Sequence, residues 1–284
     1  MRNYTTYEAR ADVARAKELA ATDSPFTIEV RFMGGLTESQ QAIFAAAADR
    51  WARVIVGDLP DVELDGDVID DLLILAQGQD IDGEGGVLGQ AGPTHVRQAE
   101  DGTLLLPCKG QMAFDTADLA RMESDGVLLD VITHEMGHVI GIGTLWEAHG
   151  LIDPADPSAP DALVNPVFTG SAAAAEYGTL TGGDPQPVPV ENQGGAGTAR
   201  GHWRESVFAT ELMTGFVGPA GNPLSRLTVG GLQDQGYEVD YEGADPYVLP
   251  NLMKLAAEGL LVSHIAPVNR GMMLPTIPIP VPAA

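Results

Sequence analysis

Two histidines and a glutamate stand in the order His134-Glu135-Met136-Gly137-His138, with Gly141 three residues on. They lie in the run 126–141, whose apolar residues recur at helical spacing. On a helix, residues four apart sit one turn above each other on one face. His134 and His138 would therefore present two imidazoles to a common point, as a tetrahedral Zn²⁺ requires. Glu135 is rotated about 100° further round the axis, beside such an ion rather than on it. There a carboxylate can take a proton from a water held by the metal. The chemistry is metal-assisted hydrolysis, and it needs a third protein ligand.

That ligand is not adjacent. Gly141 can end the helix in the left-handed conformation, and Gly143 adds a second turning point. Three residues after Gly141 stands Thr144, whose hydroxyl is a poor zinc ligand, so the third nitrogen must come from elsewhere. The chain has six histidines: 95, 134, 138, 149, 202 and 264. His202 is the candidate. It opens His202-Trp203-Arg204-Glu205, and Glu211-Leu212-Met213-Thr214-Gly215 follows. A methionine in a turn downstream of the third ligand makes a soft apolar floor beneath the metal, and Met213 is placed for it. His149, within 146–150, is the rival nearer in sequence. Glu176 would be the third ligand in a different kind of zinc hydrolase. His95 and His264 have no ligand spacing.

On these segments the chain resembles the leishmanolysin-like peptidases, the metzincin group whose third histidine is displaced by a long insertion, and a bacterial member of it in particular. The resemblance is carried by 134–146, 194–203, 211–215 and 224–237, with Asp115 and the glycines around 81–86 upstream. It spans roughly residues 26–250 of the chain. It implies an α+β, metzincin-type zincin, with a twisted mixed sheet and the active-site helix in an upper lobe. The lower lobe would be mostly irregular and helical. It also implies a zinc endopeptidase with His134, His138 and His202 as ligands, Glu135 as catalytic base and Met213 in the Met-turn. Protein or peptide substrates and an extracellular setting come with it. Two departures stand out: the parasite proteases are rich in disulfides, whereas this chain has one cysteine, and Gly215 stands where many metzincins place a tyrosine. A catalytically silent zinc-binding or adhesion module on the same fold is the alternative.

Composition narrows the partners. The 284 residues suit one large domain or two lobes, and 44% apolar residues can build a core. A net charge of −25 argues against nucleic acid and anionic membranes as partners. Cys108, alone, allows no internal disulfide; a half-buried loop thiol is expected for it. The opening residues lack the apolar core of a secretory leader, and no apolar run reaches the roughly 18 residues of a membrane span.

Around the motif the expected order is an N-terminal extension, 1–25, partly helical; an upper catalytic lobe, 26–146; an insertion loop, 147–200; a lower lobe, 201–261; and a proline-rich tail, 262–284. Residues 26–32 alternate as a strand with one buried face. Thr37 opens a helix through a capping box with Gln40, and Gly57 stops it. Residues 71–76 read as a buried strand, 78–92 as a glycine-rich stretch, and 104–114 as an edge segment beside which extended substrate could pair. Helices are expected near 116–123, 171–177, 228–235 and 249–261, with a short strand at 237–241. The tail 274–282 cannot be helical and should be extended and solvated. Asp65, Asp67, Asp70, Asp71, Asp80, Asp82 and Glu84 offer oxygens that suit a structural Ca²⁺, without EF-hand spacing.

Overall fold

A computed structural model describes residues 4–81, 83, 89–153, 165–195, 197–215, 221–251, 271–273 (backbone only) and 277–283. The first strand, β1 (Thr5–Arg10), precedes helix α1 (Val13–Leu19), β2 (Thr27–Gly34) and α2 (Glu38–Ala52). Thr37 and Gln40 form the expected capping box at the start of α2, each side chain bonded to the other's backbone N–H. Next come β3 (Val62–Leu64), β4 (Asp67–Ile69), β5 (Leu72–Gln79), β6 (Gly89–Gln98) and β7 (Leu104–Asp115). Helices α3 (Thr116–Ser124) and α4 (Leu128–Ile140) follow. Beyond them lie β8 (Val167–Phe168), α5 (Ser171–Thr181), β9 (Val188–Pro189), α6 (Glu205–Phe208) and α7 (Arg226–Gln235). The segments β10 (Gly271–Met273) and β11 (Ile279–Pro282) complete the order.

One mixed sheet, in the order β1-β2-β5-β7-β6-β10, carries the molecule. Strands β2, β5 and β7 run parallel; β1 and β6 flank them antiparallel. The parallel centre is buried, which is why β5 reads Leu-Leu-Ile-Leu-Ala with little alternation. Helices α2 and α4 cross on one face, joined where the Trp51 indole N–H donates to the Thr133 carbonyl, 2.9 Å away. Trp51, Trp146 and Trp203 are all fully buried. Arg97 is buried without a carboxylate, and its guanidinium donates to the carbonyls of Pro60, Asp70, Asp71 and Pro107. These bonds offset its desolvation and tie three segments together. With its sheet and helices segregated in this way, the protein has the α+β, metzincin-type fold that the sequence implied.

Several local expectations change. The first residues are partly helical, in α1, as expected, but what precedes that helix belongs to the sheet: β1 pairs with β2 from Thr5↔Phe32 to Arg10↔Thr27. Helix α2 ends at Ala52, ahead of Gly57. The segment 104–114 is not an edge. It lies between β5 and β6, because the glycine-rich stretch supplies a further strand. Gly89 reads as loop in sequence, yet a Cβ there would stand 2.5 Å from the Phe114 ring. It is a close-approach glycine within a strand. Residues 237–241 make only a bridge, Ile55↔Val239, before a single 3₁₀ turn. Cys108 lies in β7, fully buried with Val62 and Val281.

Val281 belongs to the tail, which is extended but only partly solvated. Strand β11 pairs parallel to β6, from Ile279↔His95 to Pro282↔Gln98, and the Ala283 N–H donates to the Gln98 carbonyl. N–H groups alternate sides along a strand. Those of residues 279 and 281 therefore share the side of Ala283, and Pro280 and Pro282 face outward. An edge whose outward positions lack donors cannot template another strand. The helix expected at 249–261 falls, beyond residue 251, outside the described residues, as do Asp82 and Glu84. No described helix is long and apolar enough to cross a membrane.

Candidate metal centre

Helix α4 is buried along its length except at Leu129, so the histidine motif sits on a core helix. Its end is set by Gly141, at φ +114°, whose N–H donates to the carbonyls of Gly137 and His138. Such a φ strains any residue with a Cβ. The chain then folds back sharply enough for the Ile142 carbonyl to accept from His138 Nδ1, at 2.9 Å.

The third histidine arrives from the far side of the insertion. His202 is held by a backbone ladder: the Glu191 N–H donates to the His202 carbonyl, and the Trp203 N–H to the Met213 carbonyl. Trp203 packs against Trp146, with ring centroids 4.6 Å apart and the planes tilted by 34°, and Phe168 meets both edge-on. These rings join the loop after α4 to the segment carrying His202. Met213 lies under α4, its Sδ 2.8 Å from where a Cβ on Gly137 would stand. The glycine in the histidine motif thus makes room for the methionine.

The three Nε2 atoms converge: 134–202 and 134–138 stand 3.1 Å apart, and 138–202 3.0 Å. The three nitrogens are thus in contact, and the contacts are not hydrogen bonds. Each Nδ1 faces a backbone carbonyl, which can only accept: Leu212 for His134 at 2.7 Å, Ile142 for His138 and Thr198 for His202 at 2.8 Å. Each ring's single proton is therefore on Nδ1, and three bare lone pairs point inward. Three nitrogens bound to one tetrahedral zinc ion at about 2.0–2.1 Å would stand roughly 3.3–3.4 Å apart. The observed triangle is close to that size, and the carbonyl partners supply the ring orientation a metal site uses. These residues fit a zinc ion.

The electrostatics agree. All three rings are buried. Burial pulls His134 down to about 4 and His202, with His134 beside it, to about 3. Burial and both neighbouring rings take His138 well below its ordinary value. All three are neutral at pH 7, the form that offers a lone pair. Glu135 is also buried; burial pushes its carboxyl up to about 8, and its Oε2 has no hydrogen-bond partner. A cation beside it would reverse that shift.

The other candidates lie elsewhere. His149 Nε2 faces the Leu105 carbonyl, His95 Nδ1 faces the Thr94 hydroxyl, and His264 is outside the described residues. Glu176 forms a two-pronged pair with Arg226, at 2.8 and 3.0 Å, and is not a third ligand. Of the aspartates considered for calcium, Asp65 pairs with Lys109 and Asp67 with Arg31. Asp70 and Asp71 do approach Asp58, but both Asp71 oxygens accept from Leu59 and Thr27. Asp115 caps α3 and also binds the N–H groups of Ile81 and Gly83.

Sequence reasoning did not reach the residues that hold the site. The carbonyls of Leu212, Ile142 and Thr198 leave no trace in side-chain identity. Buried Glu191 accepts from the N–H groups of Asn192, Gln193 and Glu205, shaping the loop before His202. Asp130, one turn before His134 on α4, binds Arg50 and Asn222. A carboxylate in the otherwise apolar first turn of α4 was its available signal.

The family model for leishmanolysin matches residues 84–254, a span that contains all three histidines and Glu135. A comparison with curated proteins gave no match. Because the family model covers more than half of a chain whose histidines close on one point, the chain belongs to the leishmanolysin family of peptidases.

Proposed function

We propose that this protein is a zinc-dependent endopeptidase that hydrolyses peptide bonds in proteins. The observation that carries the reading is the convergence of three bare Nε2 atoms beside a buried carboxylate with an unpaired oxygen. His134, His138 and His202 would hold the ion, which when bound acidifies a water and polarises the scissile carbonyl. Glu135 takes the proton from the attacking water and then delivers it to the leaving amine. Met213 closes the site from below as an apolar floor. With Gly215 in place of a tyrosine, no phenol from that position assists the oxyanion. The setting we read as extracellular, on family grounds. A two-lobed division, with the cleft between 26–146 and 201–261 and the insertion 147–200 as one wall, goes with this function.

The test compares the native chain with Glu135→Ala and His202→Ala for bound zinc and for cleavage of casein or a quenched peptide. The reading predicts zinc retained but cleavage lost in the first variant, and both lost in the second. A native chain that binds zinc yet cleaves nothing would favour the silent binding module. A His202→Ala protein that keeps zinc and activity would sink the ligand set.

A further inference from the structure

Between the third histidine and α7 lies a carboxylate with no place in the chemistry above. Glu211 is fully buried. Its Oε2 accepts from the Met213 N–H at 2.6 Å. Its Oε1 accepts from the Ser225 hydroxyl at 2.6 Å, the Thr228 hydroxyl at 2.6 Å and the Ser225 N–H at 3.3 Å. No Lys or Arg among the described residues pairs with it. A buried charge held by neutral donors alone costs stability. A neutral side chain could fill the same space.

Two of the connections leading out of this carboxylate, through Met213 and through Thr228, run towards the three histidines, and those from Ser225 anchor it to the start of α7. Met213 N–H is the hinge of the turn whose Leu212 carbonyl accepts from His134 Nδ1. The Thr228 hydroxyl, having given its proton to Glu211, accepts from the Trp203 indole N–H at 2.8 Å. Trp203 adjoins His202 and donates its own N–H to the Met213 carbonyl. One carboxylate therefore joins the turn that orients the first ligand, the residue next to the third ligand, and α7. We infer that Glu211 is a positioning residue for the metal centre, fixing the Leu212–Met213 turn and through the Leu212 carbonyl the His134 imidazole. This rests on the proposed zinc reading.

A carboxylate suits the task where an amide does not. Four donors converge on its two oxygens. Glutamine has one oxygen, and its amide nitrogen would face either the Met213 N–H or the Ser225–Thr228 donors. Aspartate keeps the charge but is shorter by one carbon and cannot reach both the turn and α7. Removing a group that orients a metal ligand typically weakens metal binding ten- to a hundredfold.

The experiment measures zinc affinity by competition with a chromophoric chelator, the visible spectrum of the Co²⁺-substituted protein, and the Tm of the metal-free protein. Glu211→Gln and Glu211→Asp should each bind zinc about ten- to a hundredfold more weakly and shift the Co²⁺ bands. Ser225→Ala removes a donor on the α7 side and spares the Met213 contact. It should lower the metal-free Tm while leaving zinc affinity within about twofold of native and the Co²⁺ bands in place. If Glu211→Gln does not fold, Glu211→Asp decides. Native zinc affinity and bands in the Glu211 variants, with only a lower Tm, would reduce Glu211 to a packing residue and overturn the inference. A native chain that binds neither ion would overturn the zinc reading itself, and the inference with it.

Discussion

Gly143 offers a test of how tightly the loop after α4 is tied to His202, the proposed third ligand. It sits at φ +73°, and a Cβ there would stand 2.0 Å from the Gly201 carbonyl oxygen and 2.7 Å from its carbon. Real Cβ contacts do not fall below 3.0 Å, so Gly143→Ala requires about 1 Å of backbone movement on one side or the other. If residue 201 yields, His202 moves with it. If residue 143 yields, its neighbours move: the Ile142 carbonyl binds His138 Nδ1, and the Thr144 hydroxyl donates to the His138 carbonyl at 2.8 Å. One of the proposed zinc ligands shifts either way. Metal–ligand distances tolerate about 0.2 Å, and a 1 Å misplacement can cost on the order of 10²-fold in rate. Gly150 is the control, since it has a similar φ of +68° with nothing within 4 Å of its would-be Cβ. Both alanine variants carry the left-handed strain, roughly 1–2 kcal/mol, but only Gly143→Ala carries the collision. Gly143→Ala should therefore bind zinc at least about tenfold more weakly than Gly150→Ala and cleave a quenched peptide about a hundredfold more slowly. Equal zinc affinity and equal cleavage in the two variants would refute the coupling.

Three further outcomes follow from the same geometry. Gly137→Ala should destabilise the protein by about 1–3 kcal/mol, although alanine is the better helix former, because its Cβ meets Met213 Sδ at 2.8 Å and the Trp51 ring at 2.9 Å. Denaturation of the double variant with Met213→Ala should show a loss smaller than the sum of the singles, and strict additivity would show that the contact is not shared. In the metal-free protein the Glu135 pKa is raised from 4.5 to about 8, so its stabilising contribution is full below pH 4.5 and is lost as pH rises through about 8. The stability of metal-free Glu135→Gln relative to native should thus increase between pH 5 and 9, by an amount on the order of a few kcal/mol, and a gap that does not change with pH would rule out the buried carboxyl. Val281→Asp should lift the tail strand and open Cys108 to a thiol reagent that native protein resists; a thiol equally protected in both would place the cover elsewhere.

What was legible in the sequence was chemistry carried by side chains at fixed local spacing. His134, Glu135 and His138 are related by one helical turn, which the apolar periodicity of 126–141 makes visible. The capping box at Thr37 is similarly local. His202 could be named only because Trp203 and the turn around Met213 follow it, since its distance from His138 carries no geometric information. What escaped depends on pairing between remote segments. An interior strand and an edge strand share the same alternation, so β7 looked like an edge until β6 emerged from the glycine-rich stretch beside it. The prolines of the tail exclude a helix but do not reveal which strand their intervening residues bond. Glu211 was visible as a letter within 211–215. Its four hydrogen bonds were not, because their donors lie both within the turn and on α7.

The long excursion before His202 raises the question of how a histidine 64 residues from His138 can be brought to it with precision. Loop closure grows only logarithmically with length. Extending the excursion from six residues, the compact spacing in which residue 144 would have been the ligand, to 64 costs roughly 2 kcal/mol. Aromatic pairs contribute about 0.5–1.5 kcal/mol each beyond their buried area. The three contacts among Trp146, Trp203 and Phe168 are of the size needed to offset that difference. They do so at the two ends of the insertion and at β8 within it. The excursion is therefore constrained where it leaves α4 and where it returns to the three histidines. Placing the third histidine far along the chain is inexpensive when its neighbour is a tryptophan that packs against the loop following the first two.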